Sequence, residues 1–180
     1  ASYEARAFFE LALSSVSQSH DNKLPEARRY QATLNTQLSE LHRRLGEHDV
    51  ARRMIGESIT IARELDLPEV LAEALMRLGR VESDVSQNDI AFQHLDEALT
   101  LSRKIDNRKL IAEVLYNLSV LAMGKDEYHQ AIARSNESSE IFRELGDQYG
   151  EAGCINIVGY AYWCLGDYVN SERYYLSALD

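Results

Sequence analysis

Residues 69–105 read EVLAEALMRLGRVESDVSQNDIAFQHLDEALTLSRKI, and this stretch decides the fold. Apolar residues recur at helical spacing over residues 70–81 and again over residues 90–102, which is the pattern of two amphipathic helices. Turn-forming and capping residues at 86–89 separate the two stripes, and residues 105–107 end the second. The stretch therefore predicts a hairpin of two antiparallel helices of about 16 residues each.

The same pattern returns at a fixed interval along the whole chain. Its fixed columns are Ala32, Ala72, Ala112 and Ala152; Ala51, Ala91, Ala131 and Ser171; Ser58, Ala98, Ser138 and Ala178; Leu38, Leu78, Leu118 and Val158; and Ser39, Gly79, Ser119 and Gly159. Small residues in fixed columns mark places where two helix backbones approach closely. A period of about 40 residues indicates stacked hairpins, because a single hairpin cannot cover its own apolar face. The sequence predicts an all-α solenoid of stacked helix pairs.

Composition agrees with a helical chain and narrows its partners. Two prolines and nine glycines in 180 residues favour helix, and the sequence has no stretch of 18 apolar residues that would span a membrane. The formal net charge of −10 opposes binding to nucleic acid or to an anionic membrane. Residues 23–63 nevertheless hold eight Lys or Arg against five Asp or Glu, either as solvated helix faces or as a docking patch for an acidic partner.

Motifs of catalysis and metal binding are missing from the sequence. It has no Gly-rich phosphate loop, nucleophile elbow or zinc-protease helix, and its five histidines are dispersed. We therefore expect no enzyme activity, no cofactor and no metal. Cys154 and Cys164 lie ten residues apart on one predicted helix, about 15 Å, so both are predicted to be free thiols. Free thiols and the lack of a targeting signal favour a cytoplasmic location.

The columns resemble the tetratricopeptide repeat (TPR), a helical hairpin of about 34 residues. The residues that carry the resemblance in the fourth repeat are Ile155, Val158, Gly159, Tyr162, Gly166, Asp167, Tyr168, Ser171, Tyr175 and Ala178. Those in the second repeat are Leu75, Leu78, Gly79, Ala91, Leu95 and Ala98. The longer period and the missing consensus proline are similar to the long-repeat TPR variety of bacterial signal-transduction regulators. The resemblance implies a right-handed superhelical solenoid over residues 1–180.

The resemblance also implies where the repeats begin and end. The implied repeats are residues 26–65, 66–105, 106–145 and 146–180, preceded by the second helix of a truncated repeat at residues 3–20. Ala5, Phe9 and Ala12 give that helix its Ala–aromatic–Ala spacing, and Leu176 and Leu179 would leave an apolar face uncapped. These two features predict that the segment belongs to a longer protein.

In TPR arrays the first helix of each hairpin lines an inner groove, so the register implies three rows of groove residues. The rows are Thr36, Met76, Tyr116 and Asn156; Glu40, Arg80, Val120 and Tyr160; and Arg43, Ser83, Met123 and Trp163. The predicted partner-binding residues are Arg43, Glu73, Met76, Arg80, Glu113, Tyr116, Val120, Met123, Asn156, Tyr160 and Trp163. Tyr, Trp, Met and Arg are enriched at interface centres. Trp163 either packs against a neighbouring helix or faces the groove, whereas the groove is favoured for Tyr160.

The sequence thus predicts a non-catalytic scaffold that binds a protein or peptide segment in this groove. Met76 and Arg80 stand where a carboxylate clamp for chaperone tails needs Lys and Asn, so that use is disfavoured. An alternative is a sensor or autoregulatory domain of a larger bacterial signalling or transcription regulator. A second alternative is a self-assembly module that forms homo-oligomers through open solenoid ends.

Overall fold

The computed structural model describes Leu11, Ser14 and residues 24–177. Residues 24–177 form eight α-helices and no strand, which confirms the predicted all-α repeat fold. The helices are α1 (Pro25–Arg44), α2 (His48–Glu64), α3 (Pro68–Asp84), α4 (Asn88–Lys104), α5 (Arg108–Gly124), α6 (Tyr128–Glu144), α7 (Gln148–Cys164) and α8 (Tyr168–Ser177). Apart from Leu11 and Ser14, the helix predicted over residues 3–20 lies outside the described residues, and so does Leu179.

Recognisable start signals set the positions of these helices. Pro25 and Pro68 occupy the first turn of α1 and α3, where the missing proline N–H costs no hydrogen bond. Asn107 and Asp147 cap α5 and α7, each accepting a bond from a first-turn N–H, at 3.1 Å and 2.9 Å. The helices α2 to α7 are each 17 residues long, close to the length expected from the sequence.

The chain forms two compact units, Ala1–Leu101 and Ser102–Asp180, with the boundary inside α4. In the first unit α1 packs against both α2 and α3, and α2 packs against α3. In the second unit α5 packs against α6 and α7, α6 against α7, and α7 against α8. We call α1, α3, α5 and α7 the first helices and α2, α4, α6 and α8 the second helices. Because consecutive first helices touch within each unit, each unit has a first-helix face.

Every turn between two of these eight helices contains one residue with a positive φ. These residues recur at a constant interval of half a repeat; they are Gly46, Asp66, Ser86, Asp106, Asp126, Gly146 and Gly166. At each turn the next backbone N–H donates to the carbonyl five residues earlier, as from Gln87 to Glu82 at 2.8 Å. This is the Schellman arrangement, which satisfies helix carbonyls that would otherwise lack a partner. The hairpins therefore end by one shared backbone geometry, whichever residue occupies the turn.

We expect Ser86→Gly to raise the free energy of unfolding by about 0.5 to 1 kcal/mol. The φ of Ser86 is 61°, and an L side chain in this left-handed region costs about 1–2 kcal/mol, which exceeds the entropy that glycine loses on folding. The matched control is Ser83→Gly in the last turn of α3, which should lower stability by about 0.5 to 1 kcal/mol. Urea unfolding followed by circular dichroism measures both, and a loss of stability in Ser86→Gly would contradict the prediction.

The small-residue columns lie where helices approach each other. Ala32, Ala72 and Ala112 are fully buried. Ser58 Oγ donates to the Ala32 carbonyl at 2.9 Å, and two repeats later Ser138 Oγ donates to the Ala112 carbonyl at 2.7 Å. Repeated positions thus make the same inter-helix hydrogen bond in both units.

Two positions in these columns differ from the others. A Cβ added at Gly79 would lie 2.6 Å from Leu95 Cγ and 3.1 Å from the Ala91 carbonyl oxygen, so α3 and α4 touch through this glycine. Ala152 departs from its column because its side chain is exposed. The residue that would stand opposite Ala152 by register, Ala178, lies outside the described residues.

Candidate binding surfaces on the first helices

The first-helix face of the first unit carries a network of charges centred on Glu40. Arg43 binds the Glu40 carboxylate with two nitrogens, each at 3.0 Å, and Arg44 Nε donates to it at 2.8 Å. From α3, Arg80 reaches both carboxylate oxygens at 3.3 Å, and Arg77 Nη1 lies 3.8 Å away. One carboxylate is therefore surrounded by four guanidinium groups from two successive first helices.

Two further carboxylates complete this network. Asp84 Oδ2 lies 2.5 Å from Arg43 Nη1, and Glu73 Oε1 accepts from Arg77 Nη2 at 2.7 Å. Gln37 on α1 donates to the same Glu73 oxygen at 2.9 Å. We call the seven charged residues the Glu40 network; they are Glu40, Arg43, Arg44, Glu73, Arg77, Arg80 and Asp84.

The electrostatics of the network are uneven. Burial alone would raise the pKa of Glu40, but hydrogen bonds from Arg43 and Arg44 and the charge of Arg80 outweigh it and lower the pKa from 4.5 to about 2. The pKa of Arg80 is lowered, first by burial and then by the charges of Arg43, Arg77 and Arg44, which the attraction of Glu40 does not offset. Glu40 is thus strongly stabilised as an anion, while the surroundings of Arg80 disfavour its positive charge.

On the first-helix face of the second unit the main feature is a pair of aromatic rings. The rings of Tyr160 and Trp163 on α7 stack with their centroids 5.8 Å apart and their planes 11° apart. Their residues are 51% and 54% exposed, so this pair is a surface feature and Trp163 is not part of the core. We call the two side chains the aromatic pair.

A set of polar contacts lies beside the aromatic pair. The Tyr128 hydroxyl donates to Asp126 Oδ1 at 2.5 Å, and this bond raises the pKa of Tyr128 to about 12. The neighbouring Cys164 raises the pKa of Tyr160. Cys164 also contributes to the raised pKa of Tyr128, so its thiol lies near both tyrosine hydroxyl groups.

The structure places six of the predicted binding residues in three different environments. Arg43, Arg80 and Glu73 belong to the Glu40 network, and Tyr160 and Trp163 form the aromatic pair. Met76 is only 3% exposed and lies in the core, and Thr36 is equally buried, with its hydroxyl 2.7 Å from that of Ser58. Their positions in the register face the neighbouring helix, so they offer a partner no accessible surface.

The remaining predicted residues lie on α5 and α7. Asn156 is exposed and Val120 is 42% exposed. Tyr116 and Met123 are half-buried, and the ring of Tyr116 lies against Gly153, where an added Cβ would come within 3.2 Å of Cε2. Glu113 lies 3.8 Å from Lys109 Nζ on the same helix.

Several side chains of these surfaces were not among the predicted binding residues. Arg77 and Arg44 follow Glu73 and Glu40 by four residues, a spacing that brings opposite charges together on one helix and could have indicated both arginines. Asp126 and Tyr128 lie in and directly after a turn, where helical register gives no information about side-chain position.

Other features of the described residues are less specific. Cys154 and Cys164 are free, as predicted. Within the described part of the chain, no three His, Cys, Asp or Glu side chains are grouped as a metal site. A cleft of about 390 Å³ lies between α6, α7 and α8, but the predicted binding residues do not line it.

The length and hydropathy of the described helices can be compared with those of membrane spans. None of them combines the length and the apolar character that a membrane span requires.

Comparison with known proteins identifies one matching family. The family model described as the tetratricopeptide repeat matches residues 29–104 and 70–144. A comparison with curated proteins finds no match.

Solved structures share the fold at low sequence identity. BtubC from P. vanneervenii is 20% identical with a TM-score of 0.81, covering 98% of this chain and 71% of that one. The Rap conjugation gene regulator of plasmid pLS20, in complex with the Phr* peptide, is 15% identical with a TM-score of 0.83, covering 99% and 48%. A Rap protein complexed with Competence and Sporulation Factor is 17% identical with a TM-score of 0.80, covering 97% and 49%. The chain therefore spans about half the length of these two Rap proteins.

Proposed function

The chain belongs to the tetratricopeptide repeat family, and from this premise we propose that it is a non-catalytic scaffold that binds a protein or peptide segment on its first-helix faces. Members of such arrays bind through rigid surfaces that present side chains at fixed spacing, so little of the receptor has to be ordered on binding. The proposed contacts are Arg43 and Arg80 in the first unit and Tyr116, Asn156 and Tyr160 in the second.

The single observation that carries the proposal is the exposure of the aromatic pair. Two stacked rings that are each about half exposed form a contiguous apolar patch, and contiguous apolar patches on a protein surface mark interaction sites. Tyrosine and tryptophan are the residue types enriched at the energetic centres of interfaces. Because the two rings already stack on each other, a partner that covers them orders few additional torsion angles.

The state of the three carboxylates in the Glu40 network supports the non-catalytic part of the proposal for this surface. Glu40, Glu73 and Asp84 are each bound by arginine. The low pKa of Glu40 keeps it ionised at any physiological pH, so it cannot donate a proton as a general acid.

A second candidate function is favoured by one comparison. The Rap conjugation gene regulator has the same fold, was solved with a peptide and is about twice as long as the matched region. On this analogy the chain would serve as the peptide-sensing domain of a larger regulator in signal transduction. The same first-helix faces would bind the peptide, and binding would shift a conformational equilibrium in the attached module.

Tyr160→Ala should weaken peptide binding at least about tenfold, because it removes half of the aromatic pair. The probe is a phage-displayed library of random dodecapeptides selected on the 180-residue chain, followed by fluorescence anisotropy with the strongest binders. Since Tyr160 is half exposed, its removal should change the melting temperature little.

The matched control for this test is Tyr149→Ala. Tyr149 lies on the same helix and is 93% exposed, so its loss should leave the affinity unchanged. Equal affinities for the wild type and for Tyr160→Ala would argue against the use of the aromatic pair. Failure to select any peptide would argue against the proposed function as a whole.

A further inference from the structure

The Glu40 network holds more positive than negative charge, although the protein as a whole is strongly acidic. Its four arginines face three carboxylates, while the chain carries a formal net charge of −10. Arg43, Arg77 and Glu40 are at most 16% exposed, so this part of the network is shielded from the solvent that would otherwise screen it. The arginines of the network repel one another, and an anion that binds at this half-buried surface reduces that repulsion.

Arg80 is the member of the network that is placed to receive such an anion. Its side chain is 28% exposed, more than those of Arg43 and Arg77, and unlike Arg44, which is 70% exposed, it makes no short bond to Glu40. Its two contacts with Glu40 are both 3.3 Å long, whereas charge-assisted bonds of this kind are normally about 2.7–2.9 Å. A guanidinium has five N–H donors in a planar fork, and these two long contacts engage only part of that capacity.

Glu40 does not depend on Arg80 for its own pairing. Arg43 and Arg44 already donate three bonds of 2.8 to 3.0 Å to the same carboxylate. The lowered pKa of Arg80 agrees with this geometry, because the attraction of Glu40 does not offset burial together with the charges of three neighbouring arginines. Arg80 therefore has more to gain from an added anion than Arg43 or Arg44, which already bind Glu40 at 2.8 to 3.0 Å.

We propose that the first-helix face of the first unit selects its peptide partner through an aspartate or glutamate side chain that binds Arg80. This inference rests on the proposed peptide-binding function and names the chemistry of one contact. A planar carboxylate matches the fork of the guanidinium, and one added carboxylate would bring the network to four anions against four cations. Nucleic acid is a poorer candidate, because the net charge of −10 repels a polyanion. A single carboxylate interacts mainly with the local positive charge of the Glu40 network.

The same geometry predicts opposite effects on stability and on binding. Arg80→Gln should leave the melting temperature unchanged or raise it, because Glu40 keeps its short bonds and three repelling arginines lose a neighbour. It should also abolish the preference for an acidic peptide. A purely structural role for Arg80 would instead lower the melting temperature and leave the preference unchanged.

The test uses peptides selected from the random dodecapeptide library on the wild-type chain at low salt. We expect the selected sequences to be enriched in Asp or Glu. For the strongest binder, a Glu→Gln peptide should bind the wild type about tenfold more weakly, whereas Arg80→Gln should bind both peptides with the same, weaker affinity. Arg80→Lys should retain part of the discrimination, since it keeps the charge but loses the fork.

The matched control is Arg63→Gln in the same unit. Arg63 lies on a second helix, is paired with Glu97 at 3.1 Å and is 57% exposed, so its variant should discriminate as the wild type does. Selected peptides without acidic enrichment, or a Glu→Gln effect that persists in Arg80→Gln, would overturn the inference. If peptides without acidic enrichment still bound Tyr160→Ala more weakly than the wild type, the proposed function would stand and the role of Arg80 would be wrong. If no peptide were selected, the proposed function and the role of Arg80 would both be contradicted.

Discussion

We expect Leu95→Ala to lower the free energy of unfolding of the first unit by about 2 to 5 kcal/mol, the largest effect that we expect of a single substitution. Leu95 lies on α4, is 1% exposed and packs against Gly79 of α3. Truncation removes buried methyl groups and leaves a cavity that the surrounding helices fill only in part. The exposed control Leu145→Ala, at 48% exposure, should cost less than about 1 kcal/mol.

The contact with Gly79 leads to a second prediction, in which the effect of Gly79→Ala on stability depends on the presence of Leu95. In the wild type Gly79→Ala should be destabilising, since its Cβ would lie 2.6 Å from Leu95 Cγ. In the Leu95→Ala background the leucine is gone and the Ala91 carbonyl oxygen at 3.1 Å has to move by only a few tenths of an ångström, while alanine is better than glycine in a helix by about 1 kcal/mol. Gly79→Ala should then be neutral or stabilising, so the two substitutions are strongly coupled.

Urea unfolding measured by two signals distinguishes the units in this experiment. Circular dichroism reports all helices, whereas fluorescence reports the second unit, because Trp163 is the only tryptophan of the chain. Stacked repeats can unfold in separate steps, so the two signals need not coincide. If Gly79→Ala cost the same with and without Leu95, the close approach of α3 and α4 at this glycine would be contradicted.

Glu40→Gln should lower the free energy of unfolding by about 3 kcal/mol at neutral pH, because it leaves four arginines without the anion they share. Glu40 is 15% exposed, so water replaces little of the lost interaction. Glutamine keeps the shape and an acceptor oxygen but not the charge. The substitution therefore tests the charge of the network rather than its packing.

The pH dependence of this effect follows from the lowered pKa of Glu40. Folding lowers this pKa from 4.5 to about 2, so Glu40 adds stability that is fully present above about pH 4.5 and is lost as the pH falls towards 2. The linkage amounts to about 3 kcal/mol. The difference in stability between the wild type and Glu40→Gln should therefore be constant near neutrality and shrink below pH 4.5.

Unfolding by urea at a series of pH values between 2 and 7 measures this dependence. Glu172→Gln serves as the control, since Glu172 is exposed on α8 and its substitution should leave the pH profile of the wild type intact. A Glu40→Gln variant that lost stability on acidification as steeply as the wild type would show that Glu40 is not the group responsible.

The fold could be predicted from the sequence because it depends on local patterns that repeat. Columns of small residues such as Ala32 and Ala72 need only helical register and a constant period to be found, and the structure buries both completely. The turns were harder to predict, since Asp66 and Ser86 adopt the same left-handed conformation as Gly46. Backbone hydrogen bonds impose that conformation, and the sequence marks it only where the residue is glycine.

The candidate surfaces were less predictable, because side-chain contacts between hairpins decide them. Register placed Arg80 and Glu40 in one row, but it gave no sign that Arg77 of the next first helix approaches the same carboxylate. Register also placed Met76 beside the groove, whereas its side chain turns into the core. For Trp163 the sequence left packing and exposure open, and its 54% exposure in the structure decides between them.

The regular spacing of the left-handed turn residues has a consequence for how such a gene can change. Gly46, Ser86 and Asp126 occupy equivalent turns in successive repeats, as do Asp66, Asp106 and Gly146. An in-frame duplication or deletion with both breakpoints at equivalent turns adds or removes one whole hairpin, and each remaining helix keeps its own apolar face and its own closing turn. A breakpoint elsewhere would rotate the downstream helices relative to their buried residues. We therefore expect natural length variants of this chain to differ by whole hairpins.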